Sequence, residues 1–482
     1  MRTIVTSIIL YVCLIANAQS VSQIKADNSY IYGEGWGSTL KQADTNIDTN
    51  LSDIRRLKKK YKKAPIELVI IGRSLYEKKM VTEARYFANA ALAASKKKYA
   101  PAYILLGDIA VLADDGAAAA AWYEQAICVD PKNPDAYYKY ADIYRKISPS
   151  GAMAKLNDLR VQRPDIAVDA LVGRIYYMSN EFDKALAAYD KADMSKMEER
   201  DLGDYAMTAF FEQKYVKALE VVKFGLSKNP RHAAFNRLAF FNLTELKQYD
   251  EALQFADALF HKSDSAKISY YDYTYYGNAY AGAKQYEKAI EMYEMALSQE
   301  DMDNKAKRAG VVKLLSDVYK DKEDYPNAIK YYKEYITYID KPIANDIAGL
   351  AGLYVVLANS IKELNDKKTI LIEADAVYGD LASKYENAVE YATFMRARVN
   401  AQMDPDSKLG MAKPYYEKLI EFIEPRAEKD ATERARIIEA YRYMIAYNFI
   451  VKEDKDAAKA FATKLQAIDP ENEVAKQILE SK

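Results

Sequence analysis

An all-α fold of stacked helix–turn–helix units is what this chain predicts, on three observations. A five-residue phrase, an aromatic, two further residues, an alanine and a leucine or isoleucine, occurs five times. It reads Phe182…Ala185-Leu186, Tyr215…Ala218-Leu219, Tyr249…Ala252-Leu253, Tyr286…Ala289-Ile290 and Tyr325…Ala328-Ile329. Its alanines step by 33, 34, 37 and 39 residues. Self-similarity in the mid-thirties marks helical hairpins, each of which buries its apolar face only against its neighbours. Finally, small residues and aromatics keep helical spacing around each phrase, as in Gly173/Tyr176/Ala185/Tyr189/Ala192 and Tyr273/Tyr276/Gly277/Tyr280/Ala289/Tyr293/Ala296. Heptads would not return a small residue to one slot at that period, which excludes a coiled coil.

Along the chain, residues 1–18 read as a signal peptide. Arg2 supplies the charged start, Ile4 to Ile15 a short apolar run, and Ala16-Asn17-Ala18 a small-residue cleavage site before Gln19. The run is too short to span a membrane. Residues 19–63 form an N-terminal segment, a glycine-rich turn (Gly33, Gly35, Gly37) followed by a leading helix that carries the basic run Arg55 to Lys63. The turn lacks the third glycine and the βαβ setting of a dinucleotide fingerprint. Residues 64–340 hold the regular repeat array and 341–426 divergent helical repeats. There Asp340-Lys341-Pro342 breaks the chain, Glu363 to Lys368 joins two helices, and Met403 to Gly410 is a turn-rich insert. Residues 427–482 form a C-terminal repeat and a capping helix over Glu471 to Ser481.

The best-formed unit has Tyr103, Leu106, Gly107 and Ala110 on a first helix, Ala119 and Tyr123 on a second, and a stop at Pro131. This pattern resembles the tetratricopeptide repeat family, whose unit of about 34 residues reads W-x2-L-G-x2-Y…A-x3-F…P. The match is strong from Pro101 to Tyr335, looser from Ile66 to Lys98, and returns in Ala458, Ala462, Leu465 and Pro470. The resemblance implies a right-handed superhelical solenoid with a concave groove, lined by the first helix of each unit, that takes a protein or peptide. Carried over slot by slot, the groove residues are Tyr138, Asp142, Arg145, Arg174, Tyr177, Met207, Phe210, Arg237, Phe241 and Asn278. Aromatics and arginines are the side chains that dominate binding energy at interfaces. The lysine–asparagine clamp that holds free peptide ends in that family is split here: Asn278 follows Thr274, and Lys313 is followed one turn later by Asp317. Gly173 and Ala185 are expected at a close helix crossing.

Little else points to chemistry. His232 and His261 are the only histidines, and no cysteine pair accompanies them, so no metal site is expected. His232 reads as a cap at a repeat junction. No nucleophile elbow, Walker glycine loop or H-E-x-x-H is present, and no cofactor is expected. Asp404-Pro405-Asp406 lacks the glycine and glutamate of a calcium loop and reads as a plain loop. Lys+Arg 69 against Asp+Glu 70 leaves a net charge of −1, which with the export signal argues against nucleic acid. Once the leader is removed only Cys128 remains, so no internal disulfide forms. The functional expectation is a non-catalytic protein-interaction scaffold of the periplasm, with peripheral envelope association. Its alternatives are a spacer or accessory subunit of an outer-membrane or glycan-associated assembly, and an enzyme with its site in 341–426. Asp264-Ser265-Ala266 is similar to the short O-glycan acceptor of some Bacteroidetes envelope proteins.

Overall fold

The structure, a computed structural model, describes residues 51–300, 302 and 304–481. The leader, its cleavage site and the glycine-rich turn lie outside the described residues. Among the described residues there are twenty-four α-helices and no strand. All but the first and last pair as successive hairpins, and the chain divides into two compact units between Ala266 and Lys267.

In the first unit the leading helix Leu51–Lys60 is followed by six hairpins, from Pro65–Glu77 with Val81–Ala94 to Ala233–Glu245 with Tyr249–Asp257. In the second, five hairpins run from Tyr270–Gly282 with Tyr286–Leu297 to Ala431–Ala446 with Lys455–Ile468, and Glu473–Glu480 closes the chain. Each hairpin packs on the next within its unit, and in the first unit one continuous core runs from Ile54 to Ile175. The stack is therefore held by neighbour contacts, not by a central core.

The repeated phrase has a structural meaning at each position. Its five alanines are all fully buried, its aromatics half-buried at the start of each second helix. Against the first helix, however, the alanine is not the nearest neighbour. A Cβ added at Gly173 would lie 2.8 Å from the Tyr189 ring, so Gly173 makes room for that tyrosine and not for Ala185. The same holds sixteen residues apart for Gly107 with Tyr123 and Gly277 with Tyr293. Glycine appears at these slots because a tyrosine ring lies flat on the opposing backbone, leaving no space for a side chain.

Most hairpin turns share one further device. A single non-glycine residue adopts a left-handed conformation at Lys79, Asp114, Asn180, Gln213, Lys247, Lys284, Glu323 and Glu453. In the turn at Asn180 the amide of Glu181 donates to the carbonyl of Tyr176; Lys214 to Ala209 and Gln248 to Leu243 repeat the bond. This is the six-to-one closure of a helix C-terminus that glycine usually supplies. Helix starts are capped by side chains: Asp115 accepts from the Ala118 amide at 2.9 Å, and Asn133 precedes Pro134 at the first helical position. His232 caps as expected, its Nδ1 accepting from the Phe235 amide at 3.3 Å.

In the divergent stretch two expectations change. The joint expected over Glu363–Lys368 is shorter, because the helix Leu364–Lys384 already begins at Leu364. In the insert after Met403, Asp404 is buried and its Oδ2 accepts from the Leu409 amide at 3.0 Å, which staples the loop from inside. No helix among the described residues is long and apolar enough to cross a membrane.

Candidate functional site

The residue after each slot glycine stands on the first-helix row, and in the first unit this row is a set of charges. Arg73, after Gly72, and Asp108, after Gly107, come from adjacent hairpins and form an ion pair. Lys139 of the following hairpin donates to Asp108 Oδ1 at 2.9 Å, and the Tyr123 hydroxyl donates to the same oxygen at 2.7 Å. Asp108 is thus buried with two cations and a phenol around one carboxylate. Burial alone would raise its pKa; Lys139, Arg73 and the Tyr123 hydrogen bond together hold it below the usual carboxylate range.

One hairpin further, Arg174 is buried and paired with Asp201, and its Nε lies 3.7 Å from Asp204. Its guanidinium stacks 5.0 Å from the Tyr138 ring centroid. Tyr189, which lies over Gly173, differs from its two counterparts. Tyr123 donates to Asp108, and Tyr293 donates to Asn278 Oδ1 at 2.8 Å. Arg174 carries no acceptor, and the buried Tyr189 hydroxyl makes no hydrogen bond.

The ten groove residues therefore fall into different environments. Tyr138, Asp142, Arg145, Tyr177 and Asn278 are half-buried. Arg145 donates to Asp142 Oδ1 at 2.9 Å and reaches Ser179 of the next hairpin at 3.0 Å. Met207, Phe210 and Phe241 are buried, with the Phe210 and Phe241 rings 6.4 Å apart. Arg174 and Arg237 are buried as well. Arg174 is not open to a partner's carboxylates, because its charge is already matched by Asp201. Asn278 belongs to the second unit, where Lys313 pairs with Asp317 at 2.6 Å in the split clamp.

Sequence reasoning missed two charge clusters. One is the Asp108 centre. The other ties three helices of the second unit: Arg396 forks onto Asp375 at 2.9 and 2.7 Å, Asn400 donates to the same carboxylate at 2.8 Å, and Tyr415 accepts from Arg396 at 2.8 Å. Every charge in this second cluster meets an opposite one, which suits a structural clamp. The signal for the first cluster was present: Gly72-Arg73 and Gly107-Asp108 place opposite charges at one slot of consecutive repeats. Among the described residues no group of three or more His, Cys, Asp or Glu side chains converges as metal ligands would. Ser265 is exposed, with φ 52°, beside Asp264, whose carboxylate pairs with Arg231.

Asp204 behaves opposite to Asp108. Burial is the main cause that pushes its pKa up, to about 6, with Asp201 adding to it and Arg174 and Arg200 only partly offsetting. The folded value lies above the ordinary 3.8. The stability tied to this proton is therefore fully present below pH 3.8 and lost as pH rises through about 6. The first unit is expected to gain stability on acidification across that window, and Asp204→Asn is expected to flatten the dependence. Urea melts of both proteins at several pH values check this; parallel curves would contradict it.

Period, small-residue slots, the tyrosine over Gly107, Gly173 and Gly277 and the helical hairpins give the described residues a tetratricopeptide-type repeat fold. No family model and no curated protein sequence matches the chain. Among solved structures it is similar to the C-terminal part of a TPR repeat-containing protein from Cytophaga hutchinsonii, at 27% identity over 59% of this chain and 100% of that one, TM-score 0.46. It is also similar to a tetratricopeptide repeat protein from Parabacteroides merdae, at 16% identity over 52% and 98% of the two chains, TM-score 0.33. PilF of Pseudomonas aeruginosa matches at 16% identity over 41% and 90%, TM-score 0.33.

Proposed function

We propose that the chain is a non-catalytic scaffold that holds a protein or peptide partner on the first-helix row of its first unit. The observation that carries this reading is the contrast along that row. Half-buried Tyr138 and Tyr177 stand over a floor whose charges and rings are already fixed, Arg174 by Asp201 and Phe210 by Phe241. Partly exposed aromatic side chains on an immobilised floor bind with little ordering cost. Contact on this row is aromatic and hydrogen-bonding, with Asp142 and Arg145 at its rim. The split clamp at Asn278 and Lys313 argues against a free peptide C-terminus as the ligand.

The leader residues support export, with cleavage after Ala18, and hence a periplasmic, envelope-associated scaffold. The proposed layout keeps residues 19–63 as the lead-in, 64–340 as the regular array, 341–426 as its divergent continuation and 427–482 as the closing segment. The closed Asp375–Arg396 clamp favours continuation over an enzymatic site in 341–426.

Capture from envelope extract tests the reading. Tyr177→Ala is expected to weaken partner retention by about 2 kcal/mol while leaving helical circular dichroism and melting nearly unchanged. Phe241→Ala is expected to melt early. Normal retention by the Tyr177 variant would remove the row as the binding surface.

A further inference from the structure

Charge is distributed very unevenly along this nearly neutral chain. Residues 51–98 carry fourteen Lys and Arg against four Asp and Glu, whereas the whole chain carries 69 against 70. The first three described helices and the turn after them thus form a strongly basic end on an otherwise acidic molecule.

The fold concentrates much of this charge in one place. The helix Leu51–Lys60 lies on Val81–Ala94, and a shallow cavity of about 350 Å³ between them is lined by Lys58, Lys62, Tyr86, Asn89, Ala93 and Ala94. The cavity brings the C-terminal end of the leading helix beside the C-terminal end of Val81–Ala94, which Lys96, Lys97 and Lys98 follow directly. Lys59, Lys62, Lys63, Lys96, Lys97 and Lys98 are exposed. Helix C-termini favour cations, but a pair of helix ends accounts for only part of so large an excess. Moreover, Lys96 and Lys97 are consecutive residues at φ 53° and 62°. Left-handed backbone is unfavourable for residues with a Cβ, so glycine or asparagine would suit this turn better than lysine does. The turn keeps its lysines despite that backbone cost.

We infer that this basic end docks the protein on an anionic lipid surface. Three features select lipid over other polyanions. The cluster is lysine-rich, and lysine is a point charge suited to a diffuse field of headgroups, while bidentate recognition of carboxylates calls for arginine. Ile54 and Leu57 of the leading helix are buried in the core, so from residue 54 onward the helix meets the surface through its charges and not through an inserted apolar face. A stacking platform of the kind that single-stranded nucleic acid needs is also missing at the cavity: Lys58 already covers the Tyr86 ring, 4.0 Å from its centroid. Docking by this end leaves the first-helix row of the following hairpins available to a partner, and it does not depend on that row's binding anything.

Sedimentation of the full chain with vesicles tests the inference. Vesicles of one part phosphatidylglycerol to two parts phosphatidylcholine are expected to bind it at low salt. Pure phosphatidylcholine vesicles are expected not to, and about 0.5 M NaCl to release it. Lys96→Glu, Lys97→Glu and Lys98→Glu together are expected to weaken binding on the order of 100-fold. The same charge change at exposed Lys341, Lys362 and Lys408 of the second unit serves as control and is expected to have little effect. Circular dichroism confirms that both variants fold. Equal binding to neutral vesicles, equal loss in the control variant, or capture by polyglutamate or an oligonucleotide without vesicle binding would each overturn the inference.

Discussion

Asp108→Ala is expected to destabilise the first hairpins by about 3 kcal/mol or somewhat more. Asp108 is only 4% exposed and is the shared counter-ion of Arg73 and Lys139, which reach it from the hairpins on either side. Removing it strands two cations and the Tyr123 hydroxyl in a site that water barely enters, and an uncompensated buried charge costs more than the pair was worth. Lys139 keeps 27% of its side chain exposed and can swing toward solvent, which places the loss at the lower end of the usual range. The sign of the pH effect follows from the depressed carboxyl. Its contribution is present above the unfolded pKa and lost as pH falls through the folded one, so the wild type and Asp108→Ala should converge in strong acid. Because repeats couple only to neighbours, hydrogen exchange should quicken around residues 65–144 and leave the second unit protected. Replacing Arg73, Asp108 and Lys139 together by methionine, leucine and methionine should restore much of the loss. A loss under about 0.5 kcal/mol in the single variant, the range of an ordinary surface change, would show that the centre is hydrated and not buried.

The repeat was legible because its cause is local. A fully buried alanine and an aromatic at the start of each second helix are dictated by packing between sequence neighbours, so the 33-to-39 residue period survives in the one-dimensional text. The partner of each slot glycine was not legible. Spacing alone could not tell whether Ala185 or Tyr189 faced Gly173, since both lie on the buried side of the same helix. The turns were hidden for another reason: their left-handed residues are lysine, aspartate, asparagine, glutamine and glutamate, without the glycine that announces such a conformation. The candidate site was half legible. Slot counting placed nine of the ten residues on first helices and Arg145 just past the end of one, but charge on a helix surface does not reveal its partner. The Asp201 that neutralises Arg174 stands 27 residues away and belongs to the next hairpin. Sequence gave no reason to separate Tyr177, half-buried, from Phe241, buried, because both are aromatics at groove slots.

Two glycines in the second unit should respond to the same substitution with opposite signs. Gly277→Ala is expected to cost about 2 kcal/mol, the range for overpacking a filled core. A Cβ there would stand 2.4 Å from Tyr293 Cε1 and 2.6 Å from its Cδ1. Tyr293 has little freedom to give way, being 2% exposed and tied through its hydroxyl to Asn278 at 2.8 Å. The intrinsic preference of a helix for alanine over glycine, about 1 kcal/mol, offsets only part of this. Gly310→Ala lies in the helix Lys305–Asp321 of the neighbouring hairpin, where an added Cβ meets nothing within 4 Å. That variant should be more stable by about 1 kcal/mol, the propensity gain without the clash. Urea melts of the two variants separate steric exclusion from backbone preference, since both changes add one methyl group to a helix interior. Adding Tyr293→Leu to Gly277→Ala should recover part of the loss, and a double-mutant cycle measures that coupling. If Gly277→Ala proved as favourable as Gly310→Ala, the tyrosine would not lie on the glycine backbone. The contact that recurs at Gly107 and Gly173 would then have to be abandoned as the basis of helix pairing in this array.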